Sequence, residues 1–191
     1  MPELPQLPLV HRSGALRRDK LARRNRRLRI LAAAAAAAAA ALGTLLWPPR
    51  PVLVWNASAS APIGLYTVSA ADRVRRGETA IAWPPATARA LAAERGYLPG
   101  NVPLVKRVAA AGGDRVCAAG SALFVNGRLE VLRRIADPRG RALPSWTGCV
   151  DLMDGQFLLL TPGSAGSFDG RYFGLTDRRE LVGEARLLWA R

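Results

Sequence analysis

VPLVKRVAAAGGDRVCA, Val102 to Ala118, places two apolar runs on either side of Gly112-Gly113-Asp114. That pattern predicts a β-hairpin. If the first run is a strand, Leu104, Lys106 and Val108 share one face, and Val105 and Arg107 share the other. Lys106 then sits between two aliphatic side chains, surroundings that lower an ammonium pKa. The competing reading is a lysine on an edge strand, its stem on the surface and its head in water.

The rest of the composition makes this lysine distinctive. The chain has 191 residues and 28 Lys and Arg, of which only Lys20 and Lys106 are lysines. Its one histidine, His11, lies in the basic N-terminal stretch. Beyond residue 50 there is no histidine and a single lysine. No Ser-His-Asp or Cys-His arrangement can be built there. Two cysteines without a histidine do not supply a zinc site, so no metal or cofactor is expected.

The formal net charge of +14 invites a nucleic-acid reading. Its distribution argues against one. Residues 1–29 hold nine basic and two acidic residues, half of the excess, and abut ILAAAAAAAAAALGTLLW, Ile30 to Trp47, which is uncharged over 18 residues. A basic block beside an apolar run is the positive-inside pattern of a membrane protein. At about 1.5 Å per residue the run would span roughly 27 Å, near the ~30 Å hydrocarbon core. Trp47 stands where an interfacial aromatic would, and Pro48-Pro49 would end the helix. The expected layout is a largely disordered basic cytoplasmic tail over 1–29, a transmembrane helix over 30–47, and an outer domain over 50–191. A cleaved signal peptide and a soluble alanine-rich helix are the alternatives.

The outer domain reads as mainly β. PVLVWNAS and GLYTVS are short β-type runs, and ETAIAWPP alternates until two prolines stop it. TARALAAERG reads as one helix, capped by Thr87 and ended by Gly96. SALFVNGRLEV is a hairpin turning at Asn126-Gly127. GQFLLLTP is a further strand, and RELVGEARLLWA closes the chain with strand-like or mixed character. The fold class expected is a compact, mainly antiparallel β domain behind one N-terminal transmembrane helix. Cys117 and Cys149 both fall outside the cytoplasm on this topology, where disulfides persist, and are expected to pair. Two buried free thiols are the alternative.

Between the first two strands lies NASASAPIGLY, Asn56 to Tyr66. Small hydroxyl residues here could be a plain linker. Pro62 and Gly64 instead fix a turn directly after Ser60, with Ser58 two residues earlier. With no histidine near, a serine nucleophile needs another base. Arginine stays protonated, whereas a buried lysine can serve.

Three stretches together resemble the conjugative-transfer signal peptidases (TraF-type), relatives of bacterial signal peptidase I with a Ser/Lys mechanism. NASASAPIGLY is similar to their N-x-[ST]-x-S-x-P-x-G-[LI]-Y box, PLVKRVAAAGGDRV to their lysine box, and SFDGRYFG, Ser167 to Gly174, to their S-x-D-S-R-Y-[FW]-G box. The boxes occur in the family's order over residues 56–174. The resemblance implies a signal peptidase-like β domain with Ser60 as nucleophile and Lys106 as general base. It implies that Ser58 helps stabilise the oxyanion, that Ser167 orients the lysine, and that Asp169 and Arg171 form a structural ion pair. This chain has Gly170 where that box usually has serine.

The reading at this stage is a serine endopeptidase in the bacterial inner membrane, single-pass, with its catalytic domain in the periplasm. It would remove signal sequences from exported precursors. The resemblance points to a conjugative pilin as substrate, with small residues before the cut, and to conjugation or secretion machinery as a partner. Partners are the protein substrate and the bilayer, with no nucleic acid. The alternatives are a self-cleaving regulator, which lacks a DNA-binding module here, and a non-catalytic membrane-anchored β module of a secretion or conjugation apparatus.

Overall fold

The structure, a computed structural model, describes residues 9–46, 51–58 and 60–191. Two compact units are present, residues 1–49 and 50–191.

The first unit is a single helix, α1 (Leu9–Leu46). The basic stretch from Leu9 onward is therefore helical and continuous with the apolar run, not a disordered tail. Its arginines, leucines and alanines are all strong helix formers, and they carry the helix through the change in polarity. Lys20–Leu46 within it is long and apolar enough to cross a membrane. Trp47, Pro48 and Pro49, expected as interfacial anchor and helix stop, lie outside the described residues, as do residues 1–8.

The second unit is built from antiparallel strands: β1 (Leu53–Asn56), β2 (Gly64–Ser69), β3 (Thr79–Ala82), β4 (Leu104–Ala110), β5 (Arg115–Ala119), β6 (Ala122–Val125), β7 (Arg128–Leu132), β8 (Gly148–Asp151), β9 (Gln156–Leu160), β10 (Thr176–Asp177) and β11 (Leu181–Ala190). They form a seven-stranded sheet in the order β1-β2-β11-β3-β4-β9-β10 and a four-stranded sheet in the order β7-β6-β5-β8. Two short α-helices, α2 (Ala86–Glu94) and α3 (Gly170–Phe173), and 3-10 turns at Ala71–Arg73 and Arg178–Glu180 join the strands.

The 102–118 stretch is not a hairpin. β4 pairs with β3 and β9, whereas β5 pairs with β6 and β8. The connection between them carries the chain from one sheet to the other. β4 changes register against β9 between Val108 and Ala110. A Cβ on Gly112 would lie 3.1 Å from the backbone at Met153 O and Asp154 Cα, a tight fit, and Gly113 follows at φ 89°, where glycine is favoured. Asp114 then fixes the corner. Its carboxylate accepts from Ala111 N at 2.9 Å, Arg76 Nη1 at 2.7 Å and Asn126 Nδ2 at 2.7 Å.

Strand β9 shows why the two sheets pack as one body. Leu158 and Leu160 join a cluster with Val116, Leu123, Val125 and Val131 of the small sheet. Phe157 and Leu159 face the other way, against Val74, Ala80, Val108 and Leu181. The period of two along an all-apolar run fills both layers.

Local chemistry decided other features. Asn126 (φ 50°) and Gly127 (φ 78°) both take positive φ in the β6–β7 turn, the pattern of a type I′ hairpin. Gly96 follows α2 at φ 70°. Thr87 does not cap α2; Pro85 occupies the N-cap and the helix starts at Ala86. The ring holds φ near the value that leads into a helix, and it has no N–H to satisfy. The terminal run is a full strand, β11, in the interior of the large sheet between β2 and β3.

Candidate active site

β1 and β2 form a hairpin whose last pair is Asn56 with Gly64, so the serine loop, residues 57–63, projects from the end of the large sheet. A Cβ on Gly64 would lie 2.1 Å from Trp189 O on β11. Glycine is required for that close approach. Asn56, 5% exposed, holds the loop from inside. Its Oδ1 accepts from Ser58 N at 3.1 Å and Ser58 Oγ at 2.9 Å. Its Nδ2 donates to Ser58 O at 3.0 Å, Ala61 O at 3.1 Å and Pro62 O at 3.1 Å. Tyr66 Oη on β2 donates to the same Pro62 carbonyl at 2.8 Å, and burial raises that phenol's pKa.

Ser58 Oγ and Ser60 Oγ are 3.0 Å apart. Each hydroxyl has one hydrogen. Ser58 spends its hydrogen on Asn56, so in this arrangement Ser60 donates to Ser58.

Lys106 projects from β4, opposite Ala80 on β3, in the interior of the large sheet. It is 3% exposed, so it is not a surface lysine on an edge strand. Burial drives its ammonium pKa down to about 8; Asp169 pulls the other way, and Arg171 adds to the lowering. Nζ donates to Ser167 Oγ at 2.7 Å, and Ser167 is itself buried.

The segment after β9 delivers Ser167 to this place. Asp169 and Arg171 form a fully buried ion pair with Nε to Oδ1 at 2.8 Å. Neither charge is left short of partners. Asp169 Oδ2 also accepts from Thr161 N at 2.9 Å, and the Arg171 guanidinium donates to Thr161 O at 2.7 Å and Leu132 O at 3.2 Å. These bonds close the loop of residues 161–171 at its base, and Asp169 caps α3 by accepting from Arg171 N. Gly170 sits where a Cβ would meet Leu158 Cδ1 at 2.8 Å and Leu159 O at 2.9 Å.

Ser58, Ser60, Lys106 and Ser167 all line one cavity of about 650 Å³, which Trp55, Leu98, Val102 and Leu104 also line. Among the described residues no hydrogen bond joins Lys106 to Ser60; the two hydrogen-bonded pairs line the same cavity. Asn56 is the participant that sequence reasoning passed over. The N-x-S spacing at the head of the loop was its signal, since an asparagine side chain bonds the backbone two residues on.

Cys117 on β5 and Cys149 on β8 are directly paired across the small sheet and joined by a disulfide, remote from this cavity in sequence and in lining.

The sequence matches the signal peptidase family, peptidase S26, over residues 24–190. It is 36% identical over 137 residues to a plasmid transfer protein TraF of Escherichia coli, covering 66% of this chain and 77% of that one. A probable conjugal transfer protein TraF of Sinorhizobium fredii is 32% identical over 141 residues, covering 69% and 73%. A solved signal peptidase I of Enterococcus faecalis is 15% identical with a TM-score of 0.34, covering 59% of this chain and 96% of that one. With most of its length inside the family match, the chain belongs to the signal peptidases of peptidase family S26.

Proposed function

We propose that the chain is a membrane-anchored serine endopeptidase in which Ser60 attacks and Lys106 is the base. The observation that carries this is a buried lysine, held by Ser167, facing the same cavity as the Ser58–Ser60 pair. A neutral Lys106 takes the Ser60 proton while Oγ bonds to the peptide carbonyl carbon. The C–N bond then breaks, and the Lys106 ammonium returns the proton to the leaving amine. A water molecule, deprotonated by the same lysine, hydrolyses the acyl ester and restores Ser60. The developing oxyanion takes donors from the Ser60 backbone N–H and from Ser58, whose hydroxyl turns from Asn56 to do so. One such donor is worth about 3 kcal/mol of barrier.

The transfer proteins among its relatives support an exported precursor of a conjugation apparatus, a pilin, as substrate. The helix within Lys20–Leu46 supports a single-pass anchor in the inner membrane, with the outer domain, residues 50–191, in the periplasm. Exposed apolar side chains support a bilayer-facing side: Leu53 and Trp55 on β1, and Leu187, Leu188 and Trp189 on β11, lie on strands either side of β2, and the two indole rings are 5.8 Å apart.

The test is co-expression of a pilin precursor with wild type, Ser60→Ala and Lys106→Ala, reading precursor mass in the membrane fraction. A shortened product from wild type alone supports the reading. Shortening by the folded Ser60→Ala protein would overturn it.

A further inference from the structure

We propose that a second cavity, next to the Ser60–Lys106 cavity, binds one large apolar side chain of the precursor on the released side of the cut. It has a volume of about 260 Å³ and is lined by Pro138, Leu143, Ala165, Phe168 and Tyr172 among others. That lies just below the range that holds whole small-molecule ligands and suits a single side chain. Tyr97, Gly166 and Phe168 line both cavities, so the two adjoin and a chain bound in the first can place a side chain in the second.

The walls are built and braced. Phe168 lies between Tyr97 at 5.2 Å and Tyr172 at 5.8 Å, ring centre to ring centre. The Arg141 guanidinium covers the Tyr97 ring at 5.4 Å. Arg95 Nη1 donates to Ala142 O at 2.7 Å, tying the end of α2 to the opposite loop.

Most polar groups around this cavity are already engaged; the side chain of Arg134, an exposed residue, is the exception. Asp137 accepts from Tyr97 Oη at 2.5 Å, Arg141 Nε at 2.7 Å, and the backbone N–H groups of Arg139 and Arg141. Burial would raise that carboxyl's pKa, but these bonds outweigh it and hold the group well below the usual carboxylate range. Tyr172 Oη accepts from Arg134 N. What remains for a ligand is chiefly the aromatic and aliphatic surface of Pro138, Leu143, Ala165, Phe168 and Tyr172, so the occupant is leucine-like or aromatic.

The direction follows from the proton path, and so it rests on the peptidase reading. Lys106 must reach the leaving amine, so the released half departs on the lysine's side of Ser60. Ser167 touches Lys106 there, and Gly166 and Phe168 flank Ser167.

The test uses the full chain in detergent, carrying Ser60→Ala, with labelled peptides of alanine before the cut. Each of the first five positions after the cut is leucine or glycine in turn. At one position leucine should bind about tenfold tighter than glycine. Ala165→Trp, at an exposed wall position, should erase that difference, and Leu143→Trp should do the same from the opposite wall. Equal binding at all five positions overturns the proposal, as does a leucine preference that survives both folded tryptophan variants. Cleavage of the same peptides by the protein with Ser60 intact separates the two readings. Cutting without any leucine preference sinks the cavity assignment alone. A preference without cutting keeps the apolar site and sinks the peptidase reading.

Discussion

Lys106 Nζ donates to Ser167 Oγ at 2.7 Å in a site where the lysine is 3% exposed. The bond fixes an otherwise flexible four-carbon stem. In the neutral amine it occupies one N–H and leaves the lone pair free to accept a proton. Burial does the rest, by holding the pKa at about 8.

Activity should therefore rise with pH as Lys106 loses its proton. kcat/KM measured on a peptide substrate is expected to climb through a midpoint near 8. Ser167→Ala should lower kcat about 10- to 100-fold, the loss of one positioning hydrogen bond, with a smaller change in KM. A flat profile between pH 6 and 10 would exclude Lys106 as the base. Lys106→Arg should be inactive although it keeps the charge.

The same burial costs stability. The pKa of Lys106 is lowered in the folded state, from 10.5 to about 8, so the unfolded chain binds the extra proton between those values. Stability contributed by this site thus rises as pH climbs from 8 to 10.5, and below 8 the buried charge costs the fold about 3 kcal/mol. Lys106→Met should melt at a higher temperature than wild type at pH 7, with the gap closing by pH 10.5. Thermal unfolding at both pH values checks this. A wild-type protein more stable than Lys106→Met at pH 7 would contradict it.

Asn56 should matter for rate as well as stability. Asn56→Ala removes the acceptor of Ser58 and the donors to Ala61 and Pro62, and should cost roughly 1–3 kcal/mol. Asn56→Asp keeps the acceptor for Ser58 and loses the donors. It should recover kcat better than it recovers the melting temperature. Equal recovery of both would show that Asn56 is only a loop tie.

How much of this was legible depended on whether the deciding contacts were local. The Asn126-Gly127 turn and the strands flanking the serine loop follow from residues a few positions apart. The 102–118 stretch does not. Two apolar runs around Gly-Gly-Asp look alike whether they pair with each other or with strands far along the chain, and here Arg107 pairs with Leu160 on β9 and Cys117 with Cys149 on β8. Lys106 stood out because residues 50–191 hold one lysine and no histidine. Asn56 did not, because it acts on the backbone of its own loop, as asparagines in ordinary turns do. The second cavity was invisible because its walls come from segments near residues 97, 138 and 168, which only the fold brings together.

Gly170 marks a place where this chain departs from the box it resembles, and the structure gives the departure a physical content. A side chain there meets Leu159 O at 2.9 Å and Leu158 Cδ1 at 2.8 Å, at the base of the loop that carries Ser167. Gly170→Ser should therefore destabilise by about 1–3 kcal/mol, as overpacking does. Trimming the side-chain half of the clash with Leu158→Ala cannot restore wild-type stability, because the carbonyl of Leu159 stays in place and a cavity opens in the core. If the strain reaches Ser167, Gly170→Ser also lowers kcat more than KM, since it moves the partner of Lys106 without touching the cavity wall. A Gly170→Ser protein that melts with wild type would show that β9 yields by the few tenths of an ångström required, and that glycine is dispensable at this position.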